Sequence, residues 1–164
     1  MHEPQLLRLR ALIVALLGLW CGCASVRPAN GDGSLVYVAP FVDETPGMEL
    51  GLPLTQTVQE TLYARAPRRF LVVFDDAAVA VDGTVVDVRD VDVGSGKVDV
   101  VVSARAVVVD KRGRVRHDTG VVGRAARYER AADPSETARR RERARLIAAS
   151  TVGRALVDDI LRMP

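Results

Sequence analysis

Four cationic side chains lie within a stretch of six residues: Lys111, Arg112, Arg114 and Arg116. The stretch follows Asp110 and contains Gly113, a combination that predicts a tight turn between two strands. A guanidinium presents several donors in a fixed geometry that suits the oxygens of a phosphate group. These four residues are therefore candidates for binding a phosphorylated ligand. The alternative is a solvated hairpin whose charges protect an exposed sheet edge.

A second basic run, 139–143, has the sequence Arg-Arg-Arg-Glu-Arg and falls on the first turns of a predicted helix. Positive charge at a helix N-terminus opposes the helix dipole. This conflict suggests a partner for the run, and contact with solvent is the simpler alternative.

Two groups of acidic residues could in principle hold a calcium ion: Asp75 and Asp76, and Asp87, Asp90 and Asp92. Both groups lack the glycine-punctuated spacing of a calcium-binding loop. We interpret them as solvated strand ends and expect no metal site. The sequence Gly94-Ser95-Gly96 has no helix or Lys-Ser/Thr pair after it, so it predicts a hairpin turn and not a phosphate loop.

The first half of the chain predicts strands and one helix around these candidates. The run 35–41 contains β-branched and aromatic residues and predicts a strand, and the runs 70–74 and 79–93 predict two more. Between them, apolar residues recur every four positions, which predicts a helix from about Leu50 to Ala66. The apolar stripe of this helix consists of Leu54, Val58 and Leu62.

An alternation with a period of two begins at Val98 and predicts a strand with one buried and one wetter face. The strand leads into the turn at 110–113, and a return strand is predicted from Val115 to about Tyr128. The residues expected on the buried face are Val98, Val100, Val102, Ala104, Ala106 and Val108.

A second helix is predicted from Asp133 to about Leu161. Asp133 is suited to cap it, Pro134 to occupy its first position, and Glu136 to reach back to the amide of the cap residue. The stripe expected to face inward contains Leu146 or Ile147, Ala149, Val152, Gly153, Leu156 and Ile160.

This order of elements predicts an α+β fold. We expect a two-layer sandwich, with a mostly antiparallel or mixed sheet of about four or five strands and two helices packed on one face.

The N-terminus has the layout of a secretory signal, because two arginines precede the apolar run Ala11–Trp20 and small residues follow it. The run has ten residues, whereas a transmembrane helix needs roughly 20. Gly22 before Cys23 resembles a lipobox, so residues 1–22 are expected to be a lipoprotein signal peptide and Cys23 the site of lipidation. An ordinary secretory signal with incidental cysteines is the alternative.

Residues 23–34 are expected to be a lipidated tether, and residues 35–164 a single α+β domain. The residue after Cys23 is Ala24 and not aspartate, which favours sorting to the outer membrane. The tether has about ten extended residues and reaches only some 35 Å, too short to cross the cell wall.

Composition and residue types argue against catalysis. The expected mature chain keeps one histidine, His117, which cannot form a two-histidine metal site and is a weak basis for a hydrolytic triad. We expect no enzyme activity, no catalytic residues and no cofactor. The net charge of +2 and the aromatic content of 4% also exclude a broad basic or stacking surface for nucleic acid.

Three phrases of the sequence stand out together: "LVYVAPFVDET" at 35–45, the helix sequence "LTQTVQETLYARAPRRFLVV", and "DDAAVAVDGTVVDV". They are followed by the valine-rich strand pair and the C-terminal helix. In this pattern the chain resembles the lipopolysaccharide-assembly lipoprotein LptE family. The resemblance extends from Cys23 almost to the C-terminus and is a pattern of elements and short phrases.

The resemblance implies a protein anchored in the outer membrane on its periplasmic side. Its implied partners are lipopolysaccharide and an LptD-like outer-membrane barrel, the lipopolysaccharide translocon, which it would assist in transport and assembly. The basic hairpin at 111–116 would then contact lipid A phosphates. The alternative is an outer-membrane interaction module of the peptidoglycan-synthase-activator or curli-secretion-associated type.

Overall fold

The computed structural model describes residues 35–45, 49–71 and 77–163. The expected signal peptide, Cys23 and the tether lie outside these residues. The described part contains six strands and two helices in the order β1 Val36–Val38, β2 Val42–Asp43, α1 Gly51–Arg65, β3 Phe70–Leu71, β4 Val79–Gly94, β5 Lys97–Asp110, β6 Val115–Glu129 and α2 Pro134–Ile160. Neither described helix is long and apolar enough to cross a membrane.

The six strands form one mixed sheet in the order β3-β1-β4-β5-β6, with β2 also paired to β4. The short strands β1 and β2 run parallel to β4, and β3 runs parallel to β1. The long strands β4, β5 and β6 form an antiparallel meander. Both helices pack on this sheet, so the predicted α+β class is confirmed.

The alternation in β5 separates the two faces of the sheet as predicted. The six apolar residues on its inward face are completely buried, whereas Asp99, Ser103 and Arg105 lie on the other face. Side chains alternate across a strand because the backbone is pleated.

The predicted strand at 79–93 is confirmed as β4. Of the predicted strand at 70–74, only Phe70 and Leu71 form a described strand, and 72–74 lie outside the described residues.

Helix α1 begins where Asp43 accepts a hydrogen bond from the Gly51 amide, with Oδ2 at 2.8 Å from the nitrogen. A Cβ on Gly51 would lie 2.4 Å from the Phe41 carbonyl oxygen, so this close approach requires glycine. Thr55 Oγ1, although buried, is satisfied because it donates to the Gly51 carbonyl and accepts from the Phe41 amide. The predicted stripe of α1 is confirmed, since Leu54, Val58 and Leu62 are all buried.

Helix α2 begins as predicted, with Asp133 accepting from the Ser135 amide at 2.9 Å and Pro134 at the first position. The side chain of Glu136 does not serve the cap amide as expected. It pairs with Arg139 and Arg140 along the helix, where i,i+3 and i,i+4 side chains are neighbours.

The predicted inward stripe of α2 is wrong at one position. Leu146 and Ile147 are 44% and 51% exposed, and the contact with the core is instead made by Ala144 and Ala148. Small residues let α2 lie close to its neighbours. A Cβ on Gly153 would lie 2.9 Å from Thr57 Cγ2 of α1, so the two helices approach closely at this glycine.

Candidate functional site: a cationic hairpin

The turn between β5 and β6 brings the four predicted cations to one hairpin. The Asp110 amide donates to the Arg114 carbonyl at 3.0 Å, and the Gly113 amide donates to the Asp110 carbonyl at 2.8 Å. Gly113 has a φ of 73°, a left-handed conformation that glycine adopts without steric cost. The hairpin predicted from the sequence is therefore confirmed.

The carboxylate of Asp110 organises this hairpin. Oδ1 accepts from the backbone amides of Arg112 and Arg114 at 2.9 and 3.0 Å, and Oδ2 accepts from Arg114 Nε at 2.9 Å. Arg116 Nε lies 3.3 Å from the same Oδ2. One carboxylate thus holds the guanidinium groups of Arg114 and Arg116 next to each other.

These contacts keep Asp110 ionised. The hydrogen bond from the Arg114 amide, reinforced by the Arg114 side chain and the Arg112 amide, lowers the pKa of Asp110 from 3.8 to about 2, against the opposing effect of burial. A hydrogen bond to the charged form of a carboxyl group favours that form. The negative charge that fixes the arginines is therefore present throughout the neutral range.

The hairpin nevertheless has an excess of positive charge. Four cations against the single carboxylate of Asp110 give it a net charge of +3. Lys111 and Arg112 are exposed at the tip, and no ion pair to the Arg112 guanidinium is found within the described residues. Val115, which stands between Arg114 and Arg116 in the sequence, is 61% exposed, so one apolar side chain lies beside the cations.

His117 is not part of this cationic cluster. Its Nε2 lies 2.9 Å from Asp159 Oδ2 of α2, and the ring is partly buried between β6 and the helix. The contact links a strand to the helix that covers it. This geometry fits a structural role, which is the interpretation that the sequence favours for a lone histidine in a strand.

The basic run on α2 is largely occupied by contacts within the chain. Arg139 and Arg140 contact Glu136, Arg141 Nε lies 2.7 Å from Asp90 Oδ2 of β4, and Arg145 contacts Glu142. The acidic partners offset the unfavourable placement of cations near the helix N-terminus. An external partner is not needed to explain the run.

The three candidate acidic residues in the second half of β4 are ion-pair partners. Asp87 lies beside Arg89, Asp90 beside Arg141 and Asp92 beside Arg130. In the part of the chain that the structure describes, no group of three residues is arranged to hold a metal ion. Asp75 and Asp76 lie outside that part.

The cations of the hairpin are recognisable in the sequence, but the role of Asp110 was not predicted. An aspartate at the first position of a turn commonly accepts hydrogen bonds from amides two or more residues later. Asp110 stands two residues before Arg112 and four before Arg114, so this spacing was the available signal.

No protein-family model and no curated protein matches the chain, but solved structures share its fold. A candidate lipoprotein from Caulobacter crescentus CB15 has 17% identity and a TM-score of 0.56, and the match covers 75% of this chain and 86% of that one. A minor lipoprotein from Acinetobacter baumannii has 12% identity and a TM-score of 0.53, with 79% and 93% covered.

A third similar structure is the PelC dodecamer from Paraburkholderia phytofirmans. Its identity is 17% and its TM-score is 0.56, with 80% of this chain and 92% of that chain covered. At these identities the likeness concerns the fold. The chain therefore has a fold that is also found in bacterial lipoproteins.

Proposed function

We propose that this protein is a lipid-anchored, non-enzymatic accessory protein of the outer membrane that binds lipopolysaccharide on the periplasmic side. In this role it assists an LptD-like barrel, the lipopolysaccharide translocon, in transport and assembly. Cys23 is the proposed lipidation site, and the hairpin residues Lys111, Arg112, Arg114 and Arg116 are the proposed contacts to lipopolysaccharide.

The observation that carries this proposal is the arrangement of the hairpin. Asp110 places Arg114 and Arg116 beside each other before any ligand arrives, which reduces the entropy lost on binding. Lys111 and Arg112 add exposed positive charge at the tip. Clustered phosphates are complementary to such a group of cations.

One exposed apolar side chain beside the hairpin supports a lipid ligand over a free phosphate. Val115 is exposed beside the cations and pairs across the ladder with Val109 of β5. Lipopolysaccharide presents phosphates next to acyl chains, so it can contact both kinds of surface at once. The fold shared with bacterial lipoproteins and the lipobox-like sequence before Cys23 support a membrane-anchored location for this contact.

The test is binding of lipopolysaccharide by the full mature protein in detergent, measured by isothermal titration calorimetry. The double variant Lys111→Glu/Arg112→Glu removes the exposed cations and leaves the Asp110 contacts to Arg114 and Arg116 in place. If two charge-assisted contacts of roughly 1.5 kcal/mol each are partly screened by water, affinity falls about tenfold or more.

A matched control is Arg143→Glu/Arg154→Glu on α2, which changes the net charge by the same amount. Both arginines are exposed and make no ion pair within the described residues. Equal loss of affinity in both double variants would indicate an unspecific charge effect and contradict the hairpin site. No binding by the parent protein would contradict the function and favour the alternative interaction module.

A further inference from the structure

A cleft lies between the sheet and the first half of α2, near the end of β6 that is remote from the cationic hairpin. Its volume is about 600 Å³, which is within the range of small-molecule sites in proteins. The lining contains apolar and charged side chains of both layers: Asp90 and Tyr128 of the sheet, and Pro134, Ala138, Arg141 and Arg145 of the helix.

Arg145 lies on the face of α2 that packs on the sheet. Ala148 and Ala149, three and four positions later, share that face and are buried. Only 14% of the Arg145 side chain is exposed, and its Nε atom is buried. A helical side chain leans towards the helix N-terminus, so the guanidinium extends over the preceding turn, where it lines the cleft. The helix therefore turns a cation inward.

The protein satisfies the guanidinium of Arg145 poorly. Within the described residues its five N–H donors make one hydrogen bond, from Nη1 to Glu142 Oε2 at 3.3 Å, and the Glu142 side chain is 57% exposed. The buried Nε has no acceptor. Burial of a charge is costly unless the group is paired and hydrogen-bonded, so this arrangement lowers the stability of the protein unless further acceptors are supplied.

Arg141 adds a second cation to the cleft, but a carboxylate already holds it. Its Nε lies 2.7 Å from Asp90 Oδ2, and the N–H does not point at the oxygen, so the contact is an ion pair without a hydrogen bond through Nε. Asp90 and Glu142 balance the charges of the two arginines. The unused donors of Arg145, and not a net charge, therefore select what the cleft binds.

We propose that this cleft binds a small organic anion. Its carboxylate or phosphate group accepts hydrogen bonds from Arg145, since the oxygens of both groups match the donor spacing of a guanidinium. Its apolar part lies against Tyr128, Pro134 and Ala138. On binding, the guanidinium exchanges its contact with the exposed Glu142 for the oxygens of the ligand. The site is separate from the hairpin at 111–116 and does not depend on lipopolysaccharide binding.

The test measures binding of benzoate and of phenyl phosphate to the full mature protein in a non-ionic detergent, by isothermal titration calorimetry at constant ionic strength. Both probes join an oxyanion to an aromatic ring, and benzamide is the neutral isostere of benzoate. We expect at least one anion to bind with one-to-one stoichiometry and benzamide to bind more weakly. Binding of neither anion, or equal binding of benzamide, overturns the proposal.

Arg145→Leu should lower the affinity for the anion about tenfold or more, because charge-assisted hydrogen bonds are lost. Without ligand, urea denaturation should find this variant at least as stable as the parent, since an apolar side chain replaces a poorly paired buried charge. Arg143→Leu is the matched control on the exposed side of α2 and should leave the affinity unchanged. Equal effects of the two variants on affinity, or marked destabilisation by Arg145→Leu, overturn the proposal.

A second variant tests the exchange of partners at Arg145. Glu142→Gln removes the carboxylate that competes with the ligand for the guanidinium, so the affinity for the anion should rise. A purely structural contact between Glu142 and Arg145 predicts no such gain. Unchanged or lower affinity in Glu142→Gln therefore contradicts the proposed site.

Discussion

The ring of Phe41 packs directly on Gly83 of β4. A Cβ built on Gly83 would lie only 2.2 Å from Phe41 Cε1, and the ring itself is buried. The segment between β1 and β2 therefore packs on the inner face of the sheet, at the one position of β4 where glycine leaves room for the ring.

We predict that Gly83→Ala destabilises the protein, because the added methyl group collides with a ring that has no free space. Overpacking of this kind costs about 1–3 kcal/mol, which urea denaturation will measure. The double variant Gly83→Ala/Phe41→Leu should lose less free energy of unfolding than the two single variants lose in sum. Additive losses would show that Phe41 and Gly83 do not constrain each other.

A matched glycine on the open face provides the control. A Cβ on Gly123 would have Ser103 Oγ as its nearest neighbour, at 3.2 Å, and that hydroxyl can rotate away. Gly123→Ala should therefore leave the unfolding midpoint nearly unchanged.

The second prediction concerns Asp110 and pH. Its pKa of about 2 in the folded protein is below the ordinary value of 3.8, so the native state binds the proton less readily than the unfolded state. The stabilisation from Asp110 is then complete above pH 3.8 and is lost as the pH falls towards 2. Asp110→Asn should lower the free energy of unfolding at pH 6, and this difference should shrink towards zero near pH 2.

Urea denaturation of both proteins across this range measures the effect. A difference that stays constant with pH would contradict the role given to the carboxylate. Asp118, whose pKa is also lowered to about 2, chiefly by the hydrogen bond from Arg105, should leave a residual acid sensitivity in the Asp110→Asn variant.

The third prediction separates the true core face of α2 from its exposed leucine. Leu156 is fully buried, so Leu156→Ala should destabilise the protein by about 2–5 kcal/mol through the lost contacts and the cavity. Leu146→Ala makes the same chemical change at a half-exposed position and should stay within about 0.5 kcal/mol. Comparable losses of stability at Leu146 and Leu156 would contradict the orientation of α2 in which Leu156 faces the core and Leu146 faces solvent.

The fourth prediction concerns the proposed anchor. Cys23→Ala should abolish incorporation of a labelled fatty acid and leave the protein unprocessed or release it from the membrane fraction. Cys21→Ala is the matched control, because removal of the signal peptide discards Cys21. Label in the Cys23→Ala protein, or its loss in the Cys21→Ala protein, would refute the assignment.

The long elements were predictable because each carries a repeated pattern. In β5, apolar residues alternate from Val98 to Val108, and in α1 they recur every four positions at Leu54, Val58 and Leu62. In each pattern several residues support the same element. Strands of two residues, such as β2, offer no period at all. Their pairing is decided by residues distant in the sequence, so the parallel side of the sheet could not be predicted.

The error on α2 has a different cause. Alanine and leucine both fit an apolar stripe, and hydrophobicity alone ranks Leu146 above Ala144 and Ala148. The close approach at Gly153 instead favours small residues at the contact, a steric requirement that depends on the packed partner. At the hairpin, the cations could be read from the sequence. The contacts of Asp110 with Arg114 and Arg116 depend on the geometry of the turn, which the sequence does not show.

The position of β1 determines how a mechanical load would enter this domain. The chain that precedes Leu35 is continuous with β1, and β1 is bonded to β3 on one side and β4 on the other. A pull on the N-terminus along the strand direction would act in shear, loading the hydrogen bonds of both neighbours together. A strand at the edge of the sheet would instead be peeled away one bond at a time. If the chain is anchored at Cys23, tension between membrane and domain enters at a strand that is paired on both sides.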